Sequence, residues 1–177
     1  MRSPIAPGDG VGTAVESALA AMMGERLRYV GRATDLVWVG IGRDVEVPRR
    51  GGGTRVLAQH ALHLQCPWRL TLLGEPLIGS WDLHRSTGSD EWADGELEQG
   101  EAAFDLVAVQ LTADASERDH RVEVIVGDDW GGVTVGFSGG LALEVLPVTT
   151  ASDECWRYFR PDEDDDHFVV FEPLEQP

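Results

Sequence analysis

Apolar and polar residues alternate with a period of two over most of this chain, and with the period of a helix in one clear place. From Thr13 to Glu25, "TAVESALAAMMGE" sets Val15, Leu19, Met22 and Met23 at helical spacing among good helix formers. Thr13 stands three residues before Glu16, the spacing of a capping box, and Gly24 is placed to end the helix. The period then changes. "RLRYVGRATDLVWVGIG" predicts two strands near 26–33 and 35–42, the second closing at Gly40 and Gly42 where the chain can turn or bulge.

"EVPRRGGG" reads as a loop, and strand character resumes through "TRVLAQHALHLQCPW", "RLTLLG" and "EPLIGSWDL". The stretch 84–100, "HRSTGSDEWADGELEQG", is polar and turn-rich and reads as an exposed acidic loop. "EAAFDLVAVQLTADA" carries both signals: Phe104, Val107, Ala108 and Leu111 match a helix, while Val107 and Val109 favour a strand, which is the reading taken. "RVEVIVGD" alternates with Val122, Val124 and Val126 on one face. "GGVTVGFSGGLALEVLPV" reads as a hairpin turning at Ser138-Gly139-Gly140. "ECWRYFR" and "HFVVFE" are two more strands around the acidic turn "PDEDDD". The expected fold is a single β-rich α+β domain over 1–177. Mostly antiparallel sheets form a sandwich or half-barrel, with one N-terminal helix and the β-rich core at 55–172.

Charge alters this picture. Residues 1–80 hold nine arginines and seven acids; residues 81–177 hold five arginines and twenty-four acids, and the chain has no lysine. Nucleic-acid binders rely on positive charge against phosphate, so a net charge of -17 argues against DNA or RNA. Acidity of this kind suits solubility, or a surface that attracts a basic protein. No apolar run approaches the roughly 20 residues that cross a bilayer. The opening "MRSPIAPGDG" lacks a signal-peptide core. The expectation is a cytoplasmic chain with Cys66 and Cys155 as reduced thiols, though a single disulfide between them is compatible with the sequence.

Candidate chemistry centres on "HALHLQCPWR", residues 60–69. In a strand, His60 and His63 face opposite ways, and Cys66 lies about 20 Å from His60 at ~3.3 Å per residue. That spacing does not make a metal site, and no CxxC or HExxH pattern is present. Cys66 and Cys155, beside Pro67 and Trp156, read as small buried hydrophobes rather than nucleophiles. No phosphate-binding or nucleophile-elbow motif appears, so no cofactor is expected. Asp162 to Asp166 lacks the spacing of a calcium loop and reads as an exposed turn. Trp38, Trp68 and Trp156 belong to strands and to the core. Trp81, Trp92 and Trp130 stand beside carboxylates, a composition that suits a protein interface or a sugar-binding surface.

The C-terminal half carries Phe137-Ser138-Gly139-Gly140-Leu141, then Leu143-Glu144-Val145-Leu146-Pro147, then Glu154-Cys155-Trp156-Arg157-Tyr158-Phe159. "HLQCPWRL" and "LIGSWDL" stand upstream. Together, over about 55–172, this pattern resembles one found in small β-rich actinobacterial domains. Some of those occur as immunity-type proteins beside secreted toxins. The resemblance implies a structural pattern and brings no catalytic residues with it.

The expected role is a non-enzymatic protein-binding module whose acidic half meets a basic partner, an immunity-type masking of a basic toxin being one form of it. The expected contacts are Glu91, Trp92, Asp128, Asp129, Trp130, Asp162, Glu163, Asp164, Asp165 and Asp166. Two alternatives stand beside it. One is a small-ligand or metal-dependent enzyme using His60, His63 or His167, and the other is a structural or oligomeric subunit.

Overall fold

A computed structural model of the chain describes residues 10–49, 51–88, 92–149, 153–163 and 167–170. Among the described residues, ten strands form two five-stranded antiparallel sheets that do not close into a barrel. The first sheet contains β1 (Leu27–Ala33), β2 (Leu36–Pro48), β3 (Thr54–Leu64), β9 (Trp156–Phe159) and β10 (Phe168–Val170), in that order. The second has the order β5 (Glu75–Gly79), β4 (Trp68–Leu72), β8 (Leu141–Val145), β7 (Val133–Phe137) and β6 (Val122–Gly127). Two helices, α1 (Val11–Leu19) and α2 (Ala103–Glu117), accompany them. The expected β-rich α+β sandwich with an N-terminal helix is the architecture observed. Its core draws on both sheets, with Ile41, Leu62, Leu64, Leu70, Val135, Leu143, Trp156 and Val170 essentially sealed from water.

Each helix lies beside an outermost strand, where unpaired backbone groups would otherwise be open. Beside α1, Gly127 N–H of β6 donates to Glu16 Oε1 at 3.1 Å. Gly12 and Gly127 approach so closely that a Cβ on Gly12 would lie 2.7 Å from the Gly127 carbonyl oxygen. Beside α2, Val30 N–H of β1 donates to Thr112 Oγ1 at 3.3 Å. The capping box expected at Thr13 is not formed: Gly10 is the N-cap, Thr13 lies inside the first turn, and Glu16 serves the neighbouring strand instead. A 3-10 turn, Ala20–Met22, extends α1, and the chain leaves it through Gly24 at φ +79°.

Several sequence expectations need correction. Residues 103–117 are helical, not a strand. Phe104, Ala108, Leu111 and Ala115 make the buried stripe, while the β-branched Val109 points to water. The Asp105 carboxylate accepts Ala102 N–H at the start of this helix, a local signal that outweighs β-propensity. Strand β2 continues through "EVP" to Pro48, past a bulge between Ile41 and Asp44, so the loop begins only after Pro48. A second bulge between Val122 and Val124 shifts the phase of β6. Val122 is buried, but Val124 and Val126 face solvent and Ile125 packs on the core.

"HALHLQCPW" is not one continuous strand. It breaks at 65–67, where Pro67 has no N–H for a ladder, and the chain crosses there from the first sheet to the second. That crossing and the strand registers define two ends of the sandwich. At one end lie the β1–β2 turn (Thr34, Asp35), the crossing at 65–67, the 3-10 turn Ser80–Leu83 after β5, and the β6–β7 turn at 128–132. At the other lie the starts of β1 and β6, joined by a bridge between Arg26 and Arg121, and the β9–β10 turn.

Candidate functional site

The first end carries three large, exposed indoles. Trp81, in the 3-10 turn Ser80–Leu83, is 70% exposed; Trp92 is 59% exposed; Trp130 is 73% exposed. Isolated exposed apolar side chains are ordinary, but three tryptophans at one end of a small domain are not. Trp81 and Trp92 touch edge to face, with centroids 6.1 Å apart and planes at 86°, and His84 packs against Trp81 at 6.3 Å. They line a cleft of about 670 Å³ whose other walls include Thr34, Asp35, Asp94 and Glu96.

The base of this cleft is built on one buried ion pair. Arg32 of β1 donates from Nε and Nη2 to both carboxylate oxygens of Asp105, at 2.8 and 2.9 Å. Its remaining donors reach the carbonyls of Thr34, Leu97 and Glu98. Asp105 accepts, in addition, the N–H groups of Gly100 and Ala102. The hydrogen bond to Asp105 raises the Arg32 pKa above its ordinary value. Burial alone would raise the Asp105 carboxyl, but the bonds from Arg32, Gly100 and Ala102 outweigh it and hold it below the usual range. One side chain thus fastens the loop at 97–98, the start of α2 and the β1–β2 turn together, and so sets the cleft wall. The Arg32 charge is thereby neutralised. Asp35, Asp94 and Glu96 form no ion pair among the described residues.

Of the sequence-expected contacts, Trp92, Asp128, Asp129 and Trp130 share this end. Trp92 lies in the cleft. The turn bearing the other three sits at the opposite edge of the second sheet, roughly 19 Å away at ~4.8 Å per strand. That turn is firmly held. Asp128 Oδ1 accepts the N–H groups of Trp130 and Gly132, both at 2.8 Å, and the fully buried Trp156 donates from Nε1 to Gly131 O at 2.8 Å. Asp162 and Glu163 are at the other end, where they are ion-paired to Arg43 and Arg160. Glu91, Asp164, Asp165 and Asp166 lie outside the described residues. Sequence reasoning placed Trp81 beside an acidic loop without including it among the contacts, and missed Asp35, Asp94 and Glu96. The dense run of acids around Trp92 was the available signal for the last two. Nothing local pointed to Asp35, which arrives from the other sheet.

The histidine stretch at 60–63 behaves as its alternation implied. His60 is 2% exposed, with Nδ1 2.8 Å from Tyr158 Oη, and its Nε2 has no hydrogen-bond partner. His63 faces the other way, packing on Phe159, which stacks on His167. Burial lowers the pKa of His60; burial and then Arg157 lower that of His63. Among the described residues, no group of three or more His, Cys, Asp or Glu is placed to hold a metal ion. Cys66 and Cys155 are free thiols that meet at the crossing, where Gln65 N–H donates to Cys155 O at 2.8 Å. Burial pushes the Cys66 thiol up to about 12, far from a nucleophile at neutral pH.

No described helix is long and apolar enough to cross a membrane. Comparison with protein-family models, with curated proteins and with solved structures gave no match to this chain.

Proposed function

We propose that this chain is a non-enzymatic protein-binding module that holds a basic protein against its tryptophan-bearing end. The observation that carries the reading is the coincidence, at one end, of three exposed indoles with Asp35, Asp94, Glu96 and Asp129, none of which has an arginine partner among the described residues. Tryptophans are the side chains most often responsible for binding energy at protein interfaces, and a charged surround steers a partner of opposite sign. The roughly 19 Å between the cleft and the 128–132 turn fits within one face of a standard interface of about 800 Å² per partner. In the form implied by the actinobacterial resemblance, the partner is a basic toxin and the chain masks it in the cytoplasm of the producing cell.

Native mass spectrometry of the protein isolated from its own host at low ionic strength tests this. The expected result is a one-to-one complex with a basic protein, released as salt rises. A homo-oligomer with no second component would favour a structural subunit. A lone chain carrying a stoichiometric metal would favour the enzyme reading and overturn this one.

A further inference from the structure

From the cleft between Trp81, Trp92 and the β1–β2 turn, we infer that it is a receptor for a single guanidinium group, an arginine side chain presented by the basic partner. The inference rests on the protein-binding reading and narrows it to one pocket and one chemistry. Three features select the ligand. First, the cleft is aromatic on one side: Trp81 and Trp92 meet at 86°, with His84 behind Trp81, and each indole keeps more than half its surface open. An indole face is the strongest aromatic partner for a cation. Second, the same cleft carries anionic side chains. Asp35, Asp94 and Glu96 line it, and the one arginine in its lining, Arg32, is fully engaged by Asp105 and three carbonyls. Among the described residues, the cleft therefore presents carboxylates with no arginine ion-paired to them. Third, part of the wall is held before binding: the buried Arg32–Asp105 pair ties 97–105 to β1, and Trp92 is bridged to Arg85 with Ala93 N–H donating to His84 O at 2.8 Å, which reduces the ordering required on binding.

Guanidinium suits this arrangement better than ammonium. It is planar, so it can lie on one indole while its edge donates two parallel hydrogen bonds to a carboxylate; ammonium is a compact, strongly hydrated point charge. An oligosaccharide suits it less well. Two indoles at right angles give no common plane on which successive sugar rings could stack.

The full chain, labelled with ¹⁵N, is titrated with a capped Gly-Arg repeat peptide while the indole N–H signals of Trp81 and Trp92 are followed. The same peptide with citrulline, which keeps the shape of arginine and removes its charge, serves as the control, beside a lysine peptide and cellohexaose. The arginine peptide should shift both indole signals saturably. The citrulline peptide should bind about tenfold more weakly or worse, with lysine between them. The variants Trp81→Ala and Trp92→Ala should each weaken the arginine peptide about tenfold. Asp94→Asn with Glu96→Gln, which leaves every ring contact in place, should do the same. Equal binding of arginine and citrulline peptides, saturation by cellohexaose alone, or arginine binding that survives both sets of variants would overturn the inference. If the peptide binds here but a basic partner docks on the other end, the proposed docking face is wrong and the pocket assignment stands. If the partner docks here but the peptide test fails, only the pocket assignment is wrong.

Discussion

The two ends of the sandwich both pair most of their arginines and both leave carboxylates without one; they differ in that only the tryptophan end sets three exposed indoles beside such carboxylates. At the end where β1 and β6 begin, most bases meet an acid, but Arg49 and Arg55 form no ion pair among the described residues, and neither do Glu25, Glu46, Glu75, Glu117 and Glu123. Arg28 is bidentate on Asp44, Arg26 and Arg121 share Asp119, Arg43 reaches Asp162, and Arg160 holds Glu163. At the tryptophan end, Arg32 is buried on Asp105, Arg85 is on Asp82, Arg69 is on Glu144 and Arg157 is on Glu154, while Asp35, Asp94, Glu96 and Asp129 have no arginine among the described residues. A count of acids therefore misleads about where the field points. The acidic turn after β9 is the densest run of aspartate in the sequence, yet its two described members are neutralised where they stand. The sparser carboxylates near the tryptophans are not. What sets the tryptophan end apart is carboxylates without an arginine beside exposed apolar area.

The sharpest way to break this contrast is to remove the one buried pair that shapes the tryptophan end. Arg32→Ala leaves Asp105 buried without its partner and should cost about 3–5 kcal/mol of stability, measured by urea unfolding. A cost below about 1 kcal/mol would mean that the pair does not fasten the cleft wall.

A second test concerns pH and the two histidines of β3. His60 and His63 have folded pKa values below their ordinary value of about 6.5. Above that pH both are neutral whether the chain is folded or not, and they impose no penalty. As pH falls below about 6.5, the unfolded chain takes up protons before the folded one, so stability must decline until the lower folded values are passed. His60→Gln with His63→Gln should flatten the unfolding free energy between about pH 5 and 7. The Asp105 contribution, whose sign is set by a depressed carboxyl, is lost only below about pH 4 and should persist in that variant. Unchanged pH dependence in the double variant would show that these imidazoles are not the groups responsible.

The smallest effects are expected where the acids are most crowded. Asp162→Asn and Glu163→Gln remove exposed or half-exposed pairs and should change stability by no more than about 1 kcal/mol each. They should also leave partner binding intact. A large loss of binding in these variants would reverse the assignment of the two ends.

Alternation made most of the strands legible. The buried face of β3 through Ala58, His60, Leu62 and Leu64 is the one that period two gives, and the Ser138-Gly139-Gly140 turn joins β7 and β8 as its composition implies. The failures have separate physical causes. In α2 the β-branched Val107 and Val109 suggested a strand, but the stripe at 104, 108, 111 and 115 and the Asp105 cap decide the matter, because tertiary burial outweighs propensity. In β6 one extra residue at a bulge turns Val124 and Val126 outward, and nothing in "RVEVIVGD" marks it. Cys66 and Cys155, distant in sequence, meet at one corner where Trp68 and Trp156 are both buried. The cleft was only partly legible. Trp92 and the acids around it are local, whereas Asp35 joins them through a turn on the other sheet, and the neutralisation of Arg32 by Asp105 depends on a long-range pairing invisible to composition.

On the proposed reading, uncompensated charge at the tryptophan end, and not the acidity of the chain as a whole, draws in a basic partner. The measurement that tests this is the association rate of a basic protein captured with this chain from its host; capture of none contradicts the reading outright. The rate is followed across ionic strength for three forms. These are the unaltered chain, a variant with Asp94→Asn, Glu96→Gln and Asp129→Asn, and a variant with Asp162→Asn and Glu163→Gln. The expected result is a rate that falls steeply with salt in the first and third forms, and a slow rate nearly indifferent to salt in the second. Equal slopes in all three, or a loss confined to the third, would contradict it.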